Sequence, residues 1–250
     1  MRILTWNILF EIRDAAPLRA AERHPAIFDA IARIEPDIAA LQELTPASLA
    51  ALRARGGVVL PAAPADVDPY GVGLWCKDAP TSWRSWRLPG GKPALLACFE
   101  TPWGPLSVLV LHLSSDRHPG AQARREDEAR AALAELPGGA AVVLGDLNCG
   151  AEDRPAALAA SGLREVWPEL HPEDEGFTWN PGENVLAEAT SHGGAPRRLD
   201  AIYWRPGAQA LRPARVERAQ GLAAPGLPLS DHDGVVADFV RGGYPIAQSR

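Results

Sequence analysis

Several polar residues of the kinds that bind metals or move protons stand at the C-terminal ends of short apolar runs: Asn7, Glu43, His112, Asp146 with Asn148, Asp200, and Asp231 with His232. They belong to the strings RILTWN, DIAALQE, LSVLVLH, AVVLGDLN, RRLDAIYW and LPLSDHDGVVADF. Apolar runs of this length read as buried strands. Polar residues repeated at strand ends are therefore expected to converge on one rim of a sheet. Glu43, Asp146, Asp200 and Asp231 are hard oxygen donors, and no Cys/His cluster has zinc spacing. Such donors suit Mg²⁺ or Mn²⁺. Carboxylates alone repel an anion, so a phosphate would need a cation here before it could enter. Asn7 and Asn148 can position oxygens without adding charge.

The spacing suggests individual roles. Asp146 and Asn148 lie two residues apart and would share one face if the chain stays extended. Asp146 is then the candidate for orienting or deprotonating a water, and Asn148 for stabilising charge on a pentacovalent phosphate. Asp231 and His232 are adjacent, which places them on a loop entering the last strand. His232 has a near-neutral intrinsic pKa and suits phosphate contact or acid–base work. His24, His118, His171 and His192 lack such context and read as structural or solvent-facing. Cys149 reads as a packed small residue.

In this order the residues resemble the endonuclease/exonuclease/phosphatase superfamily, with markers from residue 6 to residue 233. The resemblance implies metal-dependent phosphoester hydrolysis. It implies Asn7, Glu43 and Asp231 at the metal, Glu43 being the main ligand, and His112, Asp146, Asn148, Asp200 and His232 as the catalytic set. Asp200 matches the family's orienter of the histidine. Leu9 in WNILF resembles the opening of deadenylase-related RNA phosphodiesterases rather than abasic-site endonucleases. FTWNPGENVLA resembles a segment of the 5′-tyrosyl-DNA phosphodiesterases, with Trp179 and Asn184 matching. HLSSDRHPGAQARRED resembles a segment of bacterial members found beside RNA-repair domains. The implied substrate is a nucleic-acid end or nucleotide phosphoester, RNA ahead of DNA. The alternatives are a small or lipid phosphoester, of inositol phosphate or sphingomyelin type, and a non-catalytic binding module.

The elements that must position these residues can be read from periodicity. Strands are expected near 2–7, 37–42, 57–60, 71–76, 83–87, 94–100, 105–112, 140–145, 199–204, 211–217 and 234–240, and helices near 19–34, 46–54, 121–135 and 154–160. Pro25 is expected to break or start the first helix. Ala129, Ala132, Leu133 and Leu136 form an apolar stripe that Gly138 and Gly139 stop. Many strands with few helices favour two packed sheets. The resemblance implies the α/β four-layer α/β/β/α sandwich, two mainly antiparallel sheets flanked by helices, as a single domain over residues 1–250.

The 250 residues are 46% hydrophobic and 22% charged, enough to bury a large core. No apolar stretch approaches a membrane span. The first strand leaves no room for a signal peptide, and three cysteines without metal spacing suit a reducing compartment, so a cytoplasmic location is expected. No membrane or protein partner is expected. A formal net charge of −6 is unlike a protein that grips long duplexes, and a short end is easier to accommodate. Setting the four site carboxylates aside leaves about −2, so that Arg124, Arg125, Arg197 and Arg198 can serve phosphate locally or pair with Glu126, Asp127, Glu128 and Glu188. Trp179, in a Gly/Pro/Asn loop, is the candidate for stacking on a base, with Asn184 and Arg124 as further substrate contacts.

Overall fold

The computed structural model describes residues 1–11, 18–190, 194–207 and 211–242. His192 lies outside these. The strands are β1 Arg2–Asn7, β2 Ile38–Leu44, β3 Val58–Leu60, β4 Gly71–Cys76, β5 Ser82–Arg87, β6 Pro93–Thr101, β7 Gly104–His112, β8 Ala141–Asp146, β9 Arg164–Glu165, β10 Asp200–Arg205, β11 Leu211–Ala219, β12 Leu222–Ala224, β13 Leu227–Pro228 and β14 Gly234–Arg241. The helices are α1 Ala20–Ile34, α2 Pro46–Arg53, α3 Ala121–Leu133, α4 Ala156–Ala160, α5 Val166–Leu170 and α6 Val185–Thr190. Among the described residues no helix is long and apolar enough to cross a membrane.

Two six-stranded sheets form, in the orders β11-β14-β1-β2-β4-β3 and β5-β6-β7-β8-β10-β9. Each contains one parallel pair, β1 with β2 and β7 with β8, and is otherwise antiparallel. The parallel pairs are bridged by α1 and α3, because a parallel strand needs a crossover long enough to return the chain.

Period-two alternation splits each strand between two cores. Ile3, Ile38, Ala40, Val108, Val110, Val142, Leu144, Ile202 and Trp204 meet between the sheets. Leu4, Trp6, Ala39 and Leu41 face outward onto Ile27, Phe28 and Ile31 of α1 and Leu49 and Leu52 of α2. Leu109, Leu111, Val143 and Ala201 face outward onto Ala129 and Ala132 of α3 and Leu158 of α4. The result is the four-layer sandwich.

Pro25 neither starts nor breaks α1, which begins at Ala20 and runs through it. As the sixth helical residue it removes one intrahelical bond, the one its N–H would have made to Ala21 O, and the helix continues without it. A buried stripe of Ile27, Ala30 and Ile31 holds the remainder down.

Candidate active site

Alternation along the strands delivers the site. In β1, β7, β8 and β10 the positions in phase with the central core end in Asn7, His112, Asp146 and Asp200. Register aligns three of them, with His112 opposite Asp146 and Asp146 opposite Asp200. Asp200 opens β10 rather than closing a strand, and Asp231 and His232 precede β14. Both strands run antiparallel to their neighbours β8 and β1, so their starts lie at the same rim as the ends of β1 and β8.

Glu43 is out of phase. Gln42 faces the central core, where it pairs with Thr5, so a regular strand would turn Glu43 outward. A β-bulge between Gln42 and Leu44 leaves Glu43 unpaired at φ 65°, and the side chain is re-aimed to the rim. Left-handed backbone in a non-glycine residue is strained, and such strain gathers at functional sites.

Asn7 Nδ2 bridges the carboxylates, donating to Glu43 Oε1 at 3.2 Å and to Asp146 Oδ2 at 3.0 Å. Its Oδ1 accepts from the Leu9 N–H at 3.0 Å, which makes Asn7 an orienter of both carboxylates. Phe10 N donates to Glu43 Oε2 at 3.1 Å. Asp146 and Asn148 do not share a strand face. The chain turns after Asp146, whose Oδ1 accepts from Asn148 N at 2.8 Å, with Asn148 at φ 54°. Asn148 Nδ2 reaches Asp146 Oδ2 at 3.2 Å and Leu113 O at 2.9 Å. His112 Nε2 lies 3.5 Å from Asp146 Oδ2 and 3.9 Å from Glu43 Oε1.

His232 Nδ1 meets Asp200 Oδ2 at 2.7 Å. Thr178, absent from the sequence expectations, completes this pair. Its hydroxyl donates to Asp200 Oδ2 at 2.7 Å and accepts from the N–H groups of Leu199 and Asp200. Thr190 Oγ1 donates to Asp231 Oδ2 at 2.9 Å, and Ser230 Oγ donates to Asn7 O at 2.6 Å.

Arg23 was equally unforeseen, because an arginine among helical apolar residues reads as a surface charge. It is fully buried, and its guanidinium donates to the carbonyls of Leu18, Ile8 and Leu9 after β1 and of Leu229 before Ser230.

Burial and then Asp231 push the Glu43 carboxyl up to about 7. Burial, with a contribution from Lys92, pushes His112 down to about 3, so it is neutral. For His232 burial opposes the charge, but Asp200, Asp231 and Asp146 outweigh it and hold the imidazole well above its usual range. Burial raises Asp200, in part offset by His232. Burial opposes ionisation of Asp146 too, yet His232, His112 and the bonds from Asn7 and Asn148 carry it below its usual value.

The donor set fits a hard divalent cation. Glu43, Asp146, Asp200 and Asp231 converge, and among the described residues none has a Lys or Arg ion-pair partner. Asp200 Oδ1 is buried without a hydrogen-bond partner. One oxygen each of Asp146 and Asp200 and one nitrogen of His232 lie within 4.8 Å of one another. The Asp200–His232 contact is already a hydrogen bond, so Glu43 is the more available ligand.

The substrate-binding expectations fare differently. Trp179 is 7% exposed, packed with Ala187 and Leu199 and covered by the Arg197 guanidinium at 5.4 Å. It has no free face for a base, because the Thr178–Trp179 segment is bound to Arg197 backbone and folded inward. Asn184 spends its amide on structure, donating to Ser230 O at 2.9 Å and accepting from the N–H groups of Leu186 and Ala187. Arg125 is a buried strut to Ser114 O and Asp116, and Arg198 is one to Glu165. Arg197 pairs with Asp116. Arg124 is half-buried beside the Gly90 turn.

The sequence model of the endonuclease/exonuclease/phosphatase family matches residues 4–232. Among solved structures, D. rerio TDP2 complexed with a single-strand DNA product is similar with a TM-score of 0.79 at 23% identity, over 96% of this chain and 98% of that one. Truncated Caenorhabditis elegans TDP2 gives 0.71 at 20% identity, over 95% and 96%. The human Nocturnin catalytic domain with bound sulfate gives 0.68 at 20%, over 97% and 94%. At these identities the likeness is one of fold. No curated protein matches at a significant level.

Proposed function

The chain belongs to the endonuclease/exonuclease/phosphatase family, and from that premise we propose that it is a divalent-metal-dependent phosphoesterase, with Mg²⁺ or Mn²⁺ as cofactor, hydrolysing phosphoester bonds at nucleic-acid ends, RNA ahead of DNA. The observation that carries the reading is the convergence of Asn7, Glu43, His112, Asp146, Asn148, Asp200, Asp231 and His232 at one rim, with more carboxylates than cations to balance them. Glu43 would hold the metal, with Asp231 beside it and Asn7 fixing the carboxylate. When bound, the cation would neutralise this charge and polarise a phosphoryl oxygen. Asp146, ionised, orients the attacking water. His232, protonated and braced at Nδ1 by Asp200, presents its Nε2–H to a phosphate oxygen. Asn148 spends its Nδ2 on Asp146 Oδ2 and Leu113 O, and so braces the Asp146 carboxylate rather than the phosphate. His112 is neutral and packs against Asp146 without adding charge. A single-strand DNA product bound to a relative of this fold supports a nucleic-acid end as substrate.

The test is a panel of RNA and DNA oligonucleotides with 3′-phosphate, 2′,3′-cyclic phosphate, 5′-tyrosyl and unmodified ends, and a small phosphodiester, in Mg²⁺, Mn²⁺ and EDTA. Hydrolysis of an oligonucleotide end that EDTA abolishes and either ion restores is expected. Full activity in EDTA would refute the mechanism, and turnover of only the small ester would refute the substrate class.

A further inference from the structure

Against the Ser230–His232 turn is a cleft of about 310 Å³, which Ser230 and His232 line and Glu43 does not. Its floor includes Ser230 and His232, and its walls are the turn at Asn180–Glu183, the end of β11 at Arg218 and Gln220, and the β12–β13 hairpin at Leu222 and Pro228. We propose that this cleft is a base subsite, taking the nucleobase of a nucleotide that flanks the scissile phosphate. The inference rests on the nucleic-acid reading above.

The lining selects the ligand class. Leu222 is 64% exposed, so with Pro228 the hairpin offers an apolar wall against which a ring can lie. Polar capacity faces it. Gln220 donates through Nε2 to Asp233 at 2.6 Å, leaving Oε1 as an acceptor. Asn180 accepts through Oδ1 from Gly182 N at 3.0 Å, leaving its Nδ2 as a donor. Arg218 uses Nη1 on Phe177 O and Asp233, leaving Nε and Nη2 without partners among the described residues. Separate donors and acceptors beside an apolar wall match the edge and face of a base. A free phosphate fits poorly, since it has no apolar face and meets the exposed Glu183 carboxylate at the mouth. The volume is at the lower end of small-molecule sites, enough for a nucleoside and little more. Because His232 belongs both to this floor and to the catalytic pair, a base held here lies beside the phosphate that His232 would contact.

The experiment separates this cleft from the reaction. Adenosine, cytidine and inorganic phosphate are titrated into the whole protein by calorimetry in EDTA, so that turnover plays no part. Saturable nucleoside binding is expected, weakened at least about tenfold in Leu222→Glu and in Gln220→Ala. Leu222 is exposed, so its replacement tests the wall without burying a charge. With metal present, the ratio of KM for an oligonucleotide to KM for a small base-less phosphodiester should rise at least about fivefold in both variants. Phosphate binding without nucleoside binding, or nucleoside binding indifferent to both substitutions, would overturn the subsite. An active oligonucleotide hydrolase whose KM ratio is unchanged would overturn it while leaving the reaction assigned. Nucleoside binding in a protein that cleaves only the small ester would instead remove the nucleic-acid reading.

Discussion

Glu43 and Asp146 sit on either side of one amide, that of Asn7, yet their surroundings assign them different work. Asp146 collects donors from Asn7, Asn148 N and Asn148 Nδ2 and is held ionised. Glu43 has fewer donors, faces Asp231 and favours its proton until a cation arrives. Glu43→Gln should therefore lower Mn²⁺ affinity about tenfold or more, with activity falling alongside, because it removes a charged ligand. Asp146→Asn should lower kcat by about 10²–10⁴ with much smaller loss of metal affinity, because it removes the group that orients water. Calorimetric Mn²⁺ titration beside steady-state kinetics checks both, and equal loss of affinity would make Asp146 chiefly a ligand. Arg23 acts at a remove. Its carbonyl partners lie directly after Asn7 and directly before Ser230, so Arg23→Met leaves several buried acceptors unpaired and should cost about 3 kcal/mol or more in denaturant unfolding. Arg23→Lys keeps the charge but not the fork, and should recover only part of the loss. Full stability in Arg23→Met would show that the guanidinium is not the strut.

At the scale of elements, the two parallel pairs do the same job twice. Each crossover helix sends a buried arginine to the loop after the preceding strand: Arg23 of α1 to Ile8 and Leu9, and Arg125 of α3 to Ser114 O, where Glu128 also receives Ser114 N at 2.8 Å. The pairing of β7 with β8 depends on a bare backbone at Gly145. A Cβ there would stand 1.9 Å from Leu111 O, at a φ of +143° that side chains rarely adopt. Gly145→Ala should destabilise the protein by about 3 kcal/mol or more, measured as a lowered denaturant midpoint, and should loosen His112 from Asp146. An unchanged midpoint would mean that β7 yields without cost. The long strands were legible because their apolar runs are uninterrupted, and the site residues because each stands at or next to the end of one. The short β9, β12, β13, α5 and α6 were not, since two to six residues carry no period. The bulge at Glu43 leaves no composition signal, because its glutamate stands where an alternating pattern would also accept a polar residue. Trp179 was misplaced for a related reason. Its Gly/Pro/Asn neighbours mark a loop, but long-range pairing with Arg197 decides that the loop packs inward.

Over the whole molecule, the four site carboxylates, three of them buried and Glu43 partly so, are part of a net charge of −6, and that couples stability to pH and to metal. Groups that hold protons more tightly in the folded state than in the unfolded one make stability fall as pH rises between the two pKa values. Glu43, raised to about 7 by burial and Asp231, and His232, held well above its usual value against burial by Asp200 and its neighbours, are both of this kind. His24 and His112 are of the opposite kind, lowered first by burial, and contribute stability that is lost as pH falls below their unfolded value. Above about pH 6.5 those two imidazoles are neutral in both states and drop out. Only the proton-holding groups then remain, so the protein in EDTA should lose stability from pH 6.5 to 8.5. A drop in Tm of about 3 °C or more is expected, a chain of this size changing by about 2–4 °C per kcal/mol. Saturating Mg²⁺ or Mn²⁺ should reverse the trend, because a cation at Glu43 replaces the proton and binds the folded state alone, contributing about 2.7 kcal/mol at a hundredfold excess over Kd. Thermal unfolding at both pH values, in EDTA and in metal, and repeated on Glu43→Gln, reads this directly. The substitution should remove the part of the EDTA slope that lies below about pH 7, with His232 carrying the rest, and should remove most of the metal-dependent gain. A wild-type Tm that is flat with pH in EDTA, or a metal-dependent gain that survives in Glu43→Gln, would mean that the rim carboxylates are already balanced and that the cation, if bound, is held elsewhere.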